Sequence, residues 1–212
     1  MHDVNIATTE TKSAAPAAAL ALAGVHHTAR PTWKLTETVR FYRDIMGLPL
    51  VHAITARGWG QVGHPDFLHF FFDSGKRSTI AFFYYIGTSC PENMEPHDDY
   101  LGRSPHTAWQ VDTLEELQAW RRRLEGHGVK VSPDTQHEVI TSIYFHDPNG
   151  YFLEITVQTR PFVKEDASDA TLTMEAAMRL EAQGARAGGY LRSVDDVWRE
   201  KAQLIEAAAK GL

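Results

Sequence analysis

The chain has 212 residues, of which 43% are hydrophobic and 23% are charged, and its formal net charge is −6. This composition is typical of a globular protein, and an acidic chain without a basic stripe argues against nucleic-acid binding. A single cysteine, Cys90, excludes an intrachain disulfide and a thiolate metal cluster. No apolar run reaches the roughly 18 residues of a membrane span, so we expect a cytoplasmic protein without membrane contact.

Residues 1–22 lack the periodic hydrophobic pattern of a core element, which predicts a flexible N-terminal tail. Residues 23–160 form the predicted main domain, and its first module covers about residues 24–88. Hydrophobic periodicity predicts one strand, one helix and three more strands in this module. These elements fall at residues 24–29, 35–46, 48–54, 67–72 and 79–85.

The second module, at about residues 104–158, repeats this order. A strand at 106–111 precedes a helix that opens with a capping box from Thr113 to Glu116. Four residues are expected to form the buried stripe of this helix: Leu114, Leu117, Trp120 and Leu124. Further strands are predicted at 129–131, 138–146 and 151–158, with a turn at 147–150. Residues 161–212 predict a helical C-terminal extension, with helices at 173–183 and 193–210.

A short motif connects the two modules. The triplet His-Thr-Ala occurs at His27 and again at His106, so a shift of 79 residues (106 minus 27) superimposes the two copies. The same shift aligns Leu35 with Leu114, and it matches four further positions within and at the end of the helices that follow. These matches in corresponding elements indicate a duplicated module.

The repeat also suggests a metal site. Glu154 interrupts the otherwise apolar last strand, and a carboxylate buried there requires a compensating partner. An outward, solvated Glu154 is the simpler alternative. Together with His27 and His106, however, this carboxylate makes a set of two histidines and one acid. Such a set suits non-haem Fe(II), because it leaves coordination positions open.

These residues resemble the vicinal oxygen chelate superfamily, which includes glyoxalases, bleomycin resistance proteins and extradiol dioxygenases. The resemblance covers about residues 24–158 and is carried by His27, by the helix sequence Thr38–Leu48, and by Asp147-Pro-Asn-Gly-Tyr-Phe-Leu-Glu154. It implies an α+β fold in which two βαβββ modules form a cupped mixed sheet around a metal site. The helical C-terminal extension is additional to that fold.

Two comparisons within the superfamily narrow the implied reaction. Glyoxalase I-like members carry a second carboxylate on the last strand of the first module, where this chain has Ala81. The string from His137 through Tyr144 to Glu154 is similar to the signature of type I extradiol ring-cleavage dioxygenases. The resemblance therefore favours an enzyme of aromatic compound catabolism over a glyoxalase.

The resemblance implies a role for each site residue. His27, His106 and Glu154 would hold Fe(II), with Mn, Zn or Ni as alternatives. Tyr144 and His137 would be catalytic and would hydrogen-bond the substrate where charge develops. The implied partners are a small aromatic diol and O₂, and we expect a homodimer or higher homo-oligomer.

One departure leaves other functions open. Extradiol enzymes carry an acid–base histidine just before the last strand of the first module, where this chain has Arg77-Ser78. His64 and His69 are candidates to replace it. The alternatives are a metal-dependent isomerase, epimerase or lyase on the same scaffold, and a small-molecule-sequestering protein.

Overall fold

The computed structural model describes residues 22–94, 97–186 and 191–210, so the predicted tail lies outside the described residues except for its last one. The chain divides into two compact units. Of the described residues, the first unit contains those up to Trp33 together with Leu48–Ser89, and the second contains Lys34–Gly47 and those from Cys90 onward.

The first unit is built on a mixed four-stranded sheet in the order β1-β4-β3-β2. Its strands are β1 (His27–Pro31), β2 (Leu50–Ala56), β3 (Phe67–Asp73) and β4 (Thr79–Tyr85). β1 runs parallel to β4, and the other pairs are antiparallel. Aromatic residues favour these strands, and Phe70, Phe72 and Phe82 are buried on one face of the sheet. His69 and Phe71 lie on the opposite face, because successive side chains alternate.

The second unit repeats this topology with the order β5-β8-β7-β6. Its strands are β5 (Thr107–Val111), β6 (Thr135–His137), β7 (Ile140–His146) and β8 (Phe152–Gln158). Helix α3 (Leu114–Gly126) follows β5 and begins with the predicted capping box. Leu117 and Leu124 of α3 are fully buried, as are the sheet residues Ile143 and Leu153. One face of this sheet therefore belongs to the core, which leaves the other face open for a site.

The two sheets confirm the predicted α+β fold with a repeated βαβββ order. The first helix, however, belongs to the second unit and not to the unit of the strands that flank it in the chain. Helix α1 (Leu35–Arg40) continues into a π-helical turn, Phe41–Ile45. The Tyr42 hydroxyl donates to Asp147 at 3.0 Å, and the Phe41 ring lies 6.4 Å from that of Phe145. The periodicity of this helix correctly predicts that Tyr42 is buried, but it does not reveal which sheet buries it.

Two details of the second module were predicted wrongly. Residues 129–131 form no strand, because the Val129 N–H bonds Leu124 O at 3.0 Å and so caps α3. The strand that pairs with β7 begins instead at Thr135, after Pro133, which has no backbone N–H to donate to a strand ladder. Leu114 is 54% exposed rather than buried, because it stands at the first position of α3.

The remaining helices precede and follow the second sheet along the chain. A 3-10 turn (Glu92–Met94) and the short helix α2 (Tyr100–Arg103) precede β5, and neither was predicted. After β8 come α4 (Lys164–Arg186) and α5 (Val194–Ala209), and Ser193 caps α5 as expected. None of the helices in the described part of the chain is both long and apolar enough to cross a membrane.

Candidate functional site

The open face of the second sheet gathers polar side chains at its centre. Glu154 on β8 pairs with Ala108 on β5 and with Tyr144 on β7. Ser142 lies two residues before Tyr144 and therefore on the same face. His106 stands immediately before β5, two residues from Ala108. These side chains therefore lie close together on one face of three neighbouring strands.

His106 and Glu154 form the centre of this group. His106 Nε2 lies 2.9 Å from Glu154 Oε2, and Glu154 is only 4% exposed. The opposite ring nitrogen, Nδ1, lies 3.0 Å from Arg103 O and 3.1 Å from Ser104 O. Because a carbonyl oxygen only accepts hydrogen bonds, Nδ1 carries a proton and donates it there. In the neutral ring, Nε2 then presents its lone pair to the carboxylate.

This arrangement fits a bound cation. A lone pair and a carboxylate oxygen repel each other unless a proton or a metal ion lies between them. Metal-binding histidines commonly donate their other ring N–H to a backbone carbonyl, as His106 does. Ser142 donates to the second oxygen of Glu154 at 2.5 Å, which holds the carboxylate in position. Two predicted metal ligands are therefore oriented together.

Tyr144 and His137 form a second pair beside the first. The Tyr144 hydroxyl lies 3.0 Å from His137 Nε2. Burial raises the pKa of Tyr144, and the negative charge of Glu154 raises it further. Tyr144 therefore stays a phenol and a hydrogen-bond donor at neutral pH. Its ring stacks on Phe152, with the centroids 5.1 Å apart and the planes at 5°.

His27 lies in the first unit, at the start of β1. Its Nδ1 is 2.9 Å from Nδ1 of His26, and its ring centroid is 5.8 Å from that of Phe71. The structure therefore brings together four of the five predicted site residues in the second unit and places the fifth in the first. Within the described ranges, no three His, Cys, Asp or Glu side chains are grouped so that they could hold a metal ion.

Strand register shows why the first unit offers no second acid. Ala29 pairs with Ala81 just as Ala108 pairs with Glu154, and the sequence repeat equates Ala29 with Ala108. Ala81 therefore occupies the position that Glu154 has in the second unit. A carboxylate pair of the glyoxalase type has no counterpart at this position.

Sequence reasoning missed Ser142 and left His69 as one of two candidates. Ser142 is a buried polar residue in an apolar strand, two residues before Tyr144, and this spacing was the available signal. His69 is 8% exposed and stacks on Phe83 at 3.7 Å, with its ring 6.4 Å from that of His27. Burial lowers the pKa of His69, which therefore favours its neutral form. The other candidate, His64, is exposed and contacts Phe67.

A cavity of about 600 Å³ opens beside the paired residues in the second unit. Its lining includes His106, His137, Tyr144 and Phe152. A volume of this size suits a small organic molecule. The flat Tyr144–Phe152 stack supplies an aromatic wall, and the histidines and the phenol supply polar contacts.

Comparison with known proteins identifies the family. The Glyoxalase/Bleomycin resistance protein/Dioxygenase superfamily model matches residues 24–155, which is more than half of the chain and reaches into the last strand of the second repeat. The chain belongs to this superfamily. The class of fold and the paired His106–Glu154 site agree with that assignment.

Individual relatives share smaller parts of the sequence. Biphenyl-2,3-diol 1,2-dioxygenase 2 from Rhodococcus globerulus is 34% identical over 67 residues, which are 32% of this chain and 35% of that protein. The chain therefore spans about a third of the length of this relative.

The chain is also similar to solved structures of two proteins that differ in function. Lactoylglutathione lyase from Agrobacterium tumefaciens has 23% identity and a TM-score of 0.45, over 65% of this chain and 95% of its own. The fosfomycin resistance protein FosX from Listeria monocytogenes has 18% identity and a TM-score of 0.46, over 69% of this chain and 99% of its own.

Proposed function

We propose that the chain is an Fe(II)-dependent extradiol-type dioxygenase that cleaves a catechol-like aromatic diol with O₂. The observation that carries the proposal is the His106–Glu154 pair, in which ring nitrogen Nε2 and carboxylate oxygen Oε2 lie 2.9 Å apart beside an aromatic cavity. The local identity to a biphenyl-2,3-diol dioxygenase supports the choice of reaction. The proposed ligands are His106 and Glu154, completed by His27.

The donor set suits the proposed metal. Two imidazole nitrogens and one carboxylate are the ligands of many non-haem Fe(II) oxygenases, and they leave positions for other molecules. Bound Fe(II) would supply the electron transfer that allows an aromatic diol to react with O₂. The remaining chemistry belongs to side chains of this protein.

Tyr144 and His137 are the proposed catalytic residues. The raised pKa of Tyr144 keeps its proton on the phenol, so the hydroxyl can donate to a substrate oxygen that gains negative charge. His137 Nε2 lies 3.0 Å from that hydroxyl and can exchange a proton with it. Phe152 presents the aromatic surface on which the ring of the substrate would lie.

Metal analysis combined with O₂ uptake tests this function. The protein purified anaerobically should hold one Fe(II) per chain, and mixing with catechols in air should consume O₂ and produce a yellow ring-cleavage product. Glu154→Ala should abolish both the metal and the activity, because it removes a charged ligand. Glu125→Ala is the control, since Glu125 lies on the exposed side of α3 and should leave both unchanged.

Two results would contradict the proposal. Tight binding of Zn, Mn or Ni without O₂ uptake across a catechol panel would favour an isomerase, epimerase or lyase of the same superfamily. Retention of stoichiometric metal by the Glu154→Ala variant would show that the ligand set is wrong.

A further inference from the structure

The cavity of the second unit has a lining that is rich in positive charge. Apart from its histidines, the charged lining residues in the described part of the chain are Arg103, Lys130 and Asp98. The whole chain has a formal net charge of −6. A surplus of cations at this cavity is therefore opposite in sign to the molecule as a whole, and it would attract an anionic ligand.

Arg103 lies where it can reach both the aromatic wall and solvent. Its guanidinium carbon is 5.7 Å from the centroid of the Phe152 ring. Its Nη2 and Nε both donate to Asp98 Oδ1, at 2.8 and 2.9 Å, while 52% of the Arg103 side chain remains exposed. A planar guanidinium has five N–H donors, so one carboxylate leaves donors for a second.

The backbone around Arg103 is closely packed. Asp99 caps α2 by accepting from Leu101 N at 3.0 Å and from Gly102 N at 2.9 Å. A Cβ atom on Gly102 would lie only 1.5 Å from His97 O, so no side chain fits there. The same segment supplies the carbonyl of Arg103 that fixes the His106 ring. The backbone of Arg103 therefore helps to orient the ring of the proposed metal ligand His106.

A single carboxylate faces several cationic groups in this cavity. His146 Nε2 lies 3.5 Å from Asp98 Oδ1. The pKa of Asp98 is lowered, chiefly by the hydrogen bond from Arg103 and further by the charges of His146 and Lys130. All three groups line the same cavity as Asp98. Asp98 alone does not balance both Arg103 and Lys130.

We propose that the cavity binds an aromatic diol that carries a carboxylate, and that Arg103 and Lys130 recognise this carboxylate. The inference rests on the proposed dioxygenase function for the diol, and it adds a specificity subsite to it. The ring would lie against Phe152, the hydroxyl groups would face His106 and Glu154, and the carboxylate would accept hydrogen bonds from Arg103. Arginine suits this role because its fork of donors matches both carboxylate oxygens.

Ligand binding without turnover tests the subsite. The probes are 3,4-dihydroxybenzoate and its neutral methyl ester, titrated calorimetrically into the full chain under anaerobic conditions, both metal-free and Fe(II)-loaded. We expect the acid to bind about tenfold tighter than the ester, because charge-assisted hydrogen bonds are stronger than neutral ones. Arg103→Gln and Lys130→Gln should each reduce this preference, and added salt should weaken it.

Arg43→Gln provides a matched control. Arg43 also pairs with an adjacent aspartate, at 2.7 Å, and its side chain is 53% exposed, but it lies outside the cavity. This variant should keep the full preference for the acid. Equal binding of acid and ester by the unmodified chain, or a preference that survives both cavity substitutions, would overturn the subsite.

Ring-cleavage assays in air with acidic and neutral catechols, combined with these titrations, separate this inference from the proposed function. A preference for the acid without cleavage of any catechol would keep the anionic subsite and overturn the dioxygenase. Ring cleavage of neutral and acidic catechols with equal kcat/KM would keep the dioxygenase and overturn the subsite.

Discussion

At the scale of single residues, the site depends on side chains that hold the proposed ligands in one orientation. Backbone carbonyls fix the proton of His106 on Nδ1, and Ser142 binds one oxygen of Glu154. Such outer contacts set the tautomer and orientation of metal ligands, and their loss commonly costs about 10- to 100-fold in metal affinity. Ser142 is therefore a positioning residue for Glu154.

Substituting Ser142 by Ala should weaken Fe(II) binding by about 10- to 100-fold without unfolding the protein. The carboxylate would lose its short hydrogen bond and gain freedom to rotate. Anaerobic competition with a metal chelator measures the affinity, and thermal unfolding of the metal-free variant measures its stability.

Thr156→Val is the control for Ser142→Ala. Thr156 also contacts the Ser142 hydroxyl, at 3.0 Å, whereas the hydrogen bond to Glu154 comes from Ser142 itself. This variant should keep nearly the metal affinity of the unmodified chain. If Ser142→Ala matched it, the hydrogen bond to Glu154 would have no part in metal binding.

At the scale of secondary-structure elements, a buried carboxylate joins α1 and its π-turn to the turn between β7 and β8. Asp147 accepts from the Tyr42 hydroxyl at 3.0 Å, from Asn149 N at 2.8 Å and from Tyr151 N at 3.0 Å. Burial nevertheless raises the pKa of Asp147, and these hydrogen bonds only partly offset it. The folded state therefore holds a proton on Asp147 more readily than the unfolded state does.

This shift predicts a definite pH dependence of stability. The stabilisation from protonated Asp147 is fully present below the unfolded pKa of about 3.9 and is lost as pH rises through the higher folded pKa. The free energy of unfolding of the unmodified chain, minus that of Asp147→Asn, should therefore fall as pH is raised above about 4. Urea denaturation at a series of pH values measures this difference.

Asp166→Asn should show the opposite slope. Hydrogen bonds from Arg160 lower the pKa of Asp166 to about 2, so its contribution is present above the unfolded pKa and is lost as pH falls toward 2. A difference for Asp147 that rises with pH, as is expected for Asp166, would contradict the effect of burial on Asp147.

Hydrophobic periodicity in the sequence predicts some elements of this fold and misses others. Alternating and helical patterns locate the strands and α3, because burial on one face leaves a period in the sequence. They fail at residues 129–131, where the Val129 N–H caps α3 instead of joining a sheet. The segment that carries Asp98 and Arg103 has no period, so the charged side of the cavity was not predictable. The hydrophobic pattern around Tyr42 also does not predict which of the two sheets this residue packs on.

At the scale of the whole molecule, duplication explains why the proposed ligands His27 and His106 stand at equivalent positions of the two repeats. Each His-Thr-Ala triplet stands at the start of a β1-type strand, and only the second repeat adds an acid, at Glu154. The absence of an acid at Ala81 was therefore deducible from the repeat and the family signature, whereas the set of three ligands stays a prediction. The hydrogen bonds that orient His106 and Glu154 required coordinates, because they involve backbone carbonyls and a serine from another strand. Self-association of the chain stays a prediction.

The proposal that Fe(II) binds His27, His106 and Glu154 is the most important one to test. Anaerobic Fe(II) titration of His27→Ala, with His52→Ala as a control histidine from the same unit, tests it most directly. We expect one Fe(II) per unmodified chain, Fe(II) binding that is weakened at least about 100-fold in His27→Ala, and unchanged Fe(II) binding in His52→Ala. Binding by His27→Ala with the affinity of the unmodified chain would contradict it.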